Sequence, residues 1–381
     1  MKKVRIGILF GGKSAEHDVS ITSASSIIKN LDRDKYIVVP IYITTDGKWH
    51  LLDLSSSYVS ERESCVESEV KKIQNSNSDN NGFSIINYIY ANRENKKLDV
   101  IFPVLHGTLG EDGAIQGMLE LLEIPYISAG ILSAAMTMDK AVAKKFIHQH
   151  GIDVTPFVDI KEHEYHNGIL NKILDKLRFP LFVKPSNCGS SIGISKVKNI
   201  AELEKAILEA FKYDQKILIE RGIIGREIEV SVLENIDDYN NPIVSYPGEL
   251  IPNDEFYSYK AKYIMEEGAK FEIPAVLSDT VKNSIRKKAG DIFKILECNC
   301  LARVDFLIES KTNRVFFSEI NTLPGFTEIS LYPELLKHYG IGYVELLDKL
   351  VNLAIKKHKI KQDKLSNSIQ VLRSIAYFTK T

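Results

Sequence analysis

Residues 303–321 read RVDFLIESKTNRVFFSEIN, two largely apolar runs around a polar hairpin at Ser310–Asn313. Successive side chains of a β-strand point to opposite faces, so Arg303 and Asp305 share one face of the first run. Glu319 and Asn321 repeat that spacing in the second. Folded back on each other, the two strands gather two carboxylates, an amide oxygen and a guanidinium on one sheet face. Hard divalent cations that bridge nucleotide phosphates take such oxygens, a few from protein and the rest from phosphate and water. A ladder of surface salt bridges on an antiparallel pair is the competing reading. The neighbours Val304, Phe306, Leu307, Val315, Phe316 and Phe317 favour the metal. Paired carboxylates on an apolar sheet repel each other unless a cation offsets them.

Upstream, Lys184–Gly193 reads KPSNCGSSIG: a strand delivers a lysine and then a turn rich in Gly and Ser. Backbone N–H groups and hydroxyls in such a turn can surround phosphate oxygens, although similar turns also serve as plain connections. Ile217–Glu220 followed by Arg221-Gly222-Ile223 is a strand-to-linker passage able to hold an adenine edge, on its own a weak signal. Downstream, residues 322–330 (TLPGFTEIS) make a turn at Pro324-Gly325 and present Ser330, where hydroxyl and backbone can receive a carboxylate.

At the N-terminus, Gly7–Ser14 (GILFGGKS) formally fits a phosphate-binding P-loop. Ile8, Leu9 and Phe10 argue against it. Burying each stabilises by roughly 1.5–3 kcal/mol, which a solvated loop would forfeit. The better reading is a strand, Val4–Phe10, ending at Gly11-Gly12 before a turn that presents Lys13, Ser14, Glu16 and His17. Glu16 could then pair with a ligand ammonium or remain a solvated carboxylate. The basic prefix and short apolar run are too brief for a signal-peptide core. Asp18 is a plausible N-cap for a helix to Leu31. Tyr36–Ile43 and Asp99–Leu105 read as further strands, and Ala114–Leu122 as a helix. This first third is an open α/β domain with loops at its strand ends. Residues 55–82, rich in Ser, Asn and charge, read as a surface excursion. Further on, helices are expected at Ser133–His150, Ala201–Lys212, Asp279–Leu296 and Tyr343–Lys356, and strands at Leu181–Lys184, Gly193–Lys196, Lys216–Glu220 and Glu227–Leu233.

The chain has 381 residues, enough for two or three domains. Lys plus Arg (49) balances Asp plus Glu (50), which leaves no general footprint for nucleic acid or an anionic membrane. The longest apolar stretches are far shorter than a membrane-spanning helix. Only four cysteines occur, which fits a reducing cytoplasm, and Cys298-x-Cys300 has no second pair nearby to make a zinc site.

Seven segments in order resemble the D-alanine–D-alanine ligases of the ATP-grasp superfamily. They are GGKSAEHDVS (11–20), LHGTLGEDGAIQG (105–117), MDK (138–140), VKPSNCGSSIG (183–193), EFYSYKAKY (255–263), ARVDF (302–306) and EINTLPGFT (319–327). The resemblance spans about residues 4–357. It implies an open α/β substrate domain (1–132) followed by a two-part ATP-grasp fold, a central subdomain (133–222) and a C-terminal one with the metal site (223–360), then a tail (361–381). It implies an ADP-forming ligase that joins two D-alanines through an acyl phosphate to make a peptidoglycan precursor, acting as a homodimer. Asp305, Glu319 and Asn321 would hold two Mg²⁺ ions, with Mn²⁺ an alternative. Lys140, Lys184, Glu220, Arg221, Ile223, Glu227 and Lys262 would bind ATP. Arg303 would stabilise the transferring phosphoryl group. Glu16 would take the first substrate's ammonium, with His106 near its carboxylate. Ser330 and the backbone of Leu331 would receive the second substrate's carboxylate. Glu16, Ser190 and Tyr263 match a hydrogen-bonded trio that closes the aromatic loop.

Some positions depart from the family pattern. Cys188 and Gly222 alter the nucleotide side, Ser258 and Lys260 the loop charge, and Glu328 the second-substrate pocket. Tyr263 is similar to the amine-using ligases rather than those that make D-alanyl-D-lactate. A related ligase with a D-serine or D-lactate acceptor, and a non-catalytic nucleotide-binding regulator, are the alternative readings.

Overall fold

The computed structural model describes residues 2–53, 62–75, 97–166, 168–252 and 269–378. The first sheet comprises β1 (Val4–Gly11), β2 (Tyr36–Ile43), β3 (Trp49–Leu51) and β4 (Val100–Val104), in the order β3-β2-β1-β4. β1 is central and parallel to both β2 and β4. Ile8, Leu9 and Phe10 are fully buried within it, so the strand runs through the would-be phosphate loop. Gly11 ends it with φ near +88°, and a side chain there would collide with the Ile43 carbonyl. The chain then turns into α1 (His17–Asn30). Glu16, not Asp18, occupies the N-cap position; Asp18 lies in the first turn, where a negative charge suits the helix dipole.

Part of the expected excursion is ordered. Arg62–Asn75 forms α2, and Val66 and Val70 are buried in the core shared with α1 and β1. The helix is polar on average because it offers only a narrow apolar stripe, which composition does not reveal. The rest of 55–82 lies outside the described residues. α3 (Ala114–Leu121) follows β4.

The expected single helix over Ser133–His150 is two: α4 (Ile131–Met138) and α5 (Lys140–Gln149). Asp139 breaks it by adopting an extended backbone and accepting a hydrogen bond from Val142 N (3.1 Å), so it caps α5. The second sheet holds β5 (Phe157–Lys161), β6 (Leu181–Pro185), β7 (Ser195–Val197) and β8 (Lys216–Arg221), in the order β5-β8-β6-β7, with α6 (Ile169–Lys176) and α7 (Ile200–Ala210). β7 starts later than expected because the glycine turn extends to Gly193, with Ser190 and Ser191 both at positive φ.

The third sheet contains β9 (Gly225–Leu233), β10 (Ile243–Val244), β11 (Gly248–Pro252), β12 (Ala269–Glu272), β13 (Leu301–Glu309) and β14 (Val315–Asn321), in the order β12-β11-β9-β13-β14 with β10 on β9. α8 (Asp279–Ile295) packs Ile285, Ala289, Ile292 and Phe293 against it. Cys298 and Cys300 are free and buried in the cores, as expected. α9 (Leu331–Tyr339) follows the hairpin, and α10 starts at Tyr343 as expected but continues to Phe378. Just past the expected end, residues 357–364 (KHKIKQDK) are mostly charged, so these turns carry no apolar pattern to announce them. Among the described residues, no helix is long and apolar enough to cross a membrane.

If α2 covers α1 as described, Val66→Asp should lower the urea midpoint sharply, because it buries an unpaired carboxylate. Leu208→Asp, on an exposed face of α7, should stay within about ±0.5 kcal/mol of wild type. Equal, small effects of the two substitutions would remove α2 from the core.

Candidate active site

The β13–β14 register sets Arg303 opposite Asn321 and Asp305 opposite Glu319. β9 lies on the other side of β13 and puts Glu229 opposite Asp305. Arg303 donates to both oxygens of Asp305, from Nε at 2.8 Å and Nη2 at 2.7 Å. Its Nε hydrogen is thereby used, so the 2.6 Å approach of Glu229 Oε2 is an ionic contact. Burial alone would lower the Arg303 pKa, but Asp305 and Glu229 outweigh it and hold the guanidinium firmly charged. Asn321 Nδ2 donates to Asp305 Oδ2 at 3.1 Å. Two opposed carboxylates and an adjacent amide form an oxygen-only donor set, which fits a hard divalent cation. Among the described residues no group of three His, Cys, Asp or Glu forms a ready-made cage. A cation held there would take its remaining ligands from phosphate oxygens and water.

Three lysines approach from the second sheet and α5. Lys184 on β6 lies 2.6 Å from Glu220 Oε2 on β8. Lys144 on α5 lies 2.7 Å from Glu220 Oε1. Burial would raise the Glu220 pKa, but Lys144 and Lys184 overcome it and hold the carboxyl below the usual range. Burial likewise lowers the Lys184 pKa, while Glu220 and Glu319 reverse the sign and leave it raised. Lys140 donates to the Cys188 carbonyl at 2.8 Å and stands 3.8 Å from Glu319 Oε2. It thus ties the glycine turn to β14. Arg221 is committed to Glu309 (3.0 Å) and stacks over Phe316, with Ile223 and Glu227 half-buried beyond it.

Glu16, from the turn before α1, accepts a hydrogen bond from Ser190 in the glycine turn. A Cβ on Gly107 or Gly189 would stand 2.6 or 2.7 Å from Glu16 Oε2, so both positions need glycine for that carboxylate to enter. His106 is buried, with Nδ1 2.8 Å from the Leu323 carbonyl and Nε2 3.2 Å from Ser23 Oγ. The carbonyl can only accept, so Nδ1 carries the proton. Burial lowers the His106 pKa despite the charge of Glu16, leaving a neutral ring whose Nε2 accepts from Ser23. Glu111 accepts from Gly107 N (2.7 Å) and Leu323 N (3.2 Å). Burial, then the charge of Glu16, pushes its pKa up to about 8. Ser330 is the N-cap residue of α9; its Oγ accepts from Thr327 N at 3.0 Å, and Leu331 follows as the first helical residue. Glu328 is held by Asn30 Nδ2 at 2.5 Å.

The structure therefore groups Glu16 with Ser190 and His106, Lys184 with Glu220, and Arg303 with Asp305, Glu319, Asn321 and Lys140. Of the aromatic loop expected over Tyr246–Tyr263, Gly248–Pro252 forms β11, while residues 253–263, with Lys262 and Tyr263, lie outside the described residues. The sequence reading overlooked Lys144, Glu111 and Glu229. Lys144 is one helical turn from Lys140, and Glu229 is two residues from Glu227, so each shares a face with a residue already singled out. Glu111 lay within a quoted motif, but its second partner, Leu323 N, comes from a distant part of the chain.

A clamp of lysines facing paired carboxylates defines a nucleotide-dependent enzyme class, and comparison with known proteins sharpens it. Residues 5–129 match the family model of the D-ala D-ala ligase N-terminus, and residues 146–352 that of the C-terminus. The D-alanine–D-alanine ligase of Caldicellulosiruptor bescii is 46% identical over 95% of this chain and 98% of its own length. The structure of the D-alanine–D-alanine ligase from Coxiella burnetii covers 98% of this chain and 100% of its own, with 34% identity and a TM-score of 0.82. The VanG D-Ala:D-Ser ligase from Enterococcus faecalis covers 93% and 100%, with 33% identity and a TM-score of 0.78. The Bacillus anthracis D-alanine–D-alanine ligase complexed with ATP covers 94% and 99%, with 29% identity and a TM-score of 0.70. The chain belongs to the D-alanine–D-alanine ligase family, and its fold is the ATP-grasp fold of those enzymes behind an open α/β domain.

Glu111 supplies a pH test. Its folded pKa, about 8, lies above that of an ordinary carboxyl, so between about 4.5 and 8 the folded state keeps a proton that the unfolded state releases. Stability should fall as pH rises through that window, by at most about 1.4 kcal/mol per unit. Urea unfolding at pH 5 and pH 8 should show a larger loss in wild type than in Glu111→Gln; parallel losses would contradict the assignment.

Proposed function

We propose that this chain is an ADP-forming carbon–nitrogen ligase that joins two D-alanines into D-alanyl-D-alanine for peptidoglycan precursor synthesis. The observation that carries this reading is the Lys184–Glu220 pair placed near the opposed Asp305 and Glu319, with Glu16 reaching the glycine turn from the first domain. In the first step a carboxylate oxygen of one D-alanine attacks the γ-phosphorus of ATP, forming an acyl phosphate and releasing ADP. In the second the amine of another D-alanine attacks the acyl carbon, loses a proton and expels phosphate.

Each role follows from chemistry at a named atom. Lys140 and Lys184 neutralise phosphate charge, because phosphoryl transfer depends on positioning and electrostatics more than on covalent help. Glu220, Arg221, Ile223 and Glu227 line the adenosine side, Arg221 through its backbone since its guanidinium is engaged by Glu309. Asp305, Glu319 and Asn321 would hold two Mg²⁺ ions, for which Mn²⁺ could substitute. Those ions, when bound, offset phosphate charge and polarise the P–O bonds. Arg303 faces the transferring group and fixes the Asp305 carboxylate. Glu16 attracts the first ammonium, and neutral His106 stands by its carboxylate. Ser330 and Leu331 N receive the second carboxylate at the start of α9. Lys262 and Tyr263 complete the site by resemblance, closing it against water that would hydrolyse the acyl phosphate. We further propose the division into units 1–132, 133–222 and 223–360, a homodimer, and a cytoplasmic setting.

Incubating the protein with D-alanine, ATP and Mg²⁺ should yield D-alanyl-D-alanine, ADP and phosphate in equal amounts. Asp305→Ala or Glu319→Ala should lower kcat by roughly 100-fold or more. No turnover by wild type would refute the activity, and full turnover by the variants would refute the metal assignment. Offered mixed acceptors, the enzyme should favour D-alanine; a preference for D-serine or D-lactate would move it to a related ligase class.

A further inference from the structure

Lys144 is a charged side chain only 1% exposed, placed by the second turn of α5. Its ammonium has three partners: Glu220 Oε1 at 2.7 Å, Thr155 Oγ1 at 2.7 Å and the Phe317 carbonyl at 3.3 Å. Thr155 also donates to Glu220 Oε1 at 2.7 Å. The other oxygen of Glu220 faces Lys184 at 2.6 Å. One buried group thus touches both halves of the nucleotide clamp. Glu220 belongs to β8 in the second sheet, and Phe317 to β14 in the third, two residues before Glu319.

Stability does not account for a charge here. Removing an ammonium from water is costly, and a buried ion pair is often no more stable than apolar side chains of similar volume. What the ammonium does that a methionine cannot is fix Glu220 from behind, in one rotamer, with its second oxygen turned to Lys184. The Phe317 carbonyl fixes the same ammonium relative to β14. We propose that Lys144 is a positioning residue for the nucleotide: acting through Glu220, it sets where Lys184 stands relative to the carboxylates of β14. This rests on the reading of the Lys184–Glu220 face as the ATP site.

The test uses the full-length protein and two readouts: calorimetric binding of ADP with Mg²⁺, and steady-state KM values for ATP and D-alanine. A lost hydrogen bond between charged groups predicts that Lys144→Met weakens ADP binding and raises the KM for ATP by roughly tenfold or more. The KM for D-alanine should stay within about twofold, since Lys144 touches nothing on the Glu16 side. Because Lys144 acts through Glu220, adding Lys144→Met to Glu220→Gln should change ADP affinity by less than about twofold. Should Lys144→Met fail to fold, Thr155→Val, which keeps the ammonium and removes its bridge, should weaken ADP binding in the same direction. A variant that melts earlier but binds ADP like wild type would overturn the proposal, as would effects of Lys144→Met and Glu220→Gln that simply multiply. Wild-type protein that binds ADP without making dipeptide would refute the ligase reading, and the ADP measurements would still decide the role of Lys144.

Discussion

Asp305 and Glu319 face each other across adjacent strands, with Glu229 close behind on the third. That concentration of negative charge is the constraint around which the site is built. Left alone, such a cluster would repel itself, and burial would push its carboxyls towards protonation. Arg303 answers part of the charge from within the sheet, and Lys140 approaches from the facing helix. Further positive charge is the natural complement, and a magnesium–nucleotide complex brings it together with phosphate oxygens that suit the lysines. The same charge distribution thus accounts for both the metal-binding and the nucleotide-binding sides of the proposed site.

Connections between sheets hold this arrangement together. Lys140 spans from the glycine turn to β14, and Glu16 spans from the first sheet to Ser190. Glu111 joins the loop after β4 to the segment after Asn321 by accepting from Gly107 and Leu323. Each link is a short-range polar contact in a part-buried place, where losing a partner carries a cost. The turn before α1, the glycine turn and the end of β14 are thereby brought together.

Much of this was legible in the amino-acid order. Strand alternation alone places Arg303, Asp305, Glu319 and Asn321 on one face, and the apolar triplet Ile8-Leu9-Phe10 disposes of a false phosphate loop. What escaped was information that only tertiary structure holds. The break at Asp139 depends on a capping bond, and α2 depends on a narrow stripe meeting α1. Lys144 looked like any helix-surface lysine, and nothing local marks it as buried between two sheets. Glu111 owes its raised pKa first to burial and then to the charge of Glu16, which is distant in the chain. The length of α10 was missed because charged helix formers resemble a solvated tail.

The central claim is that Asp305 and Glu319 bind a divalent cation together with nucleotide. Electron paramagnetic resonance of Mn²⁺ titrated into the protein at saturating ADP addresses it without requiring turnover. Wild type should immobilise Mn²⁺ only when ADP is present, and Asp305→Asn, with an unchanged circular dichroism spectrum, should bind it roughly tenfold more weakly or worse. Equal Mn²⁺ binding by both proteins would contradict the account.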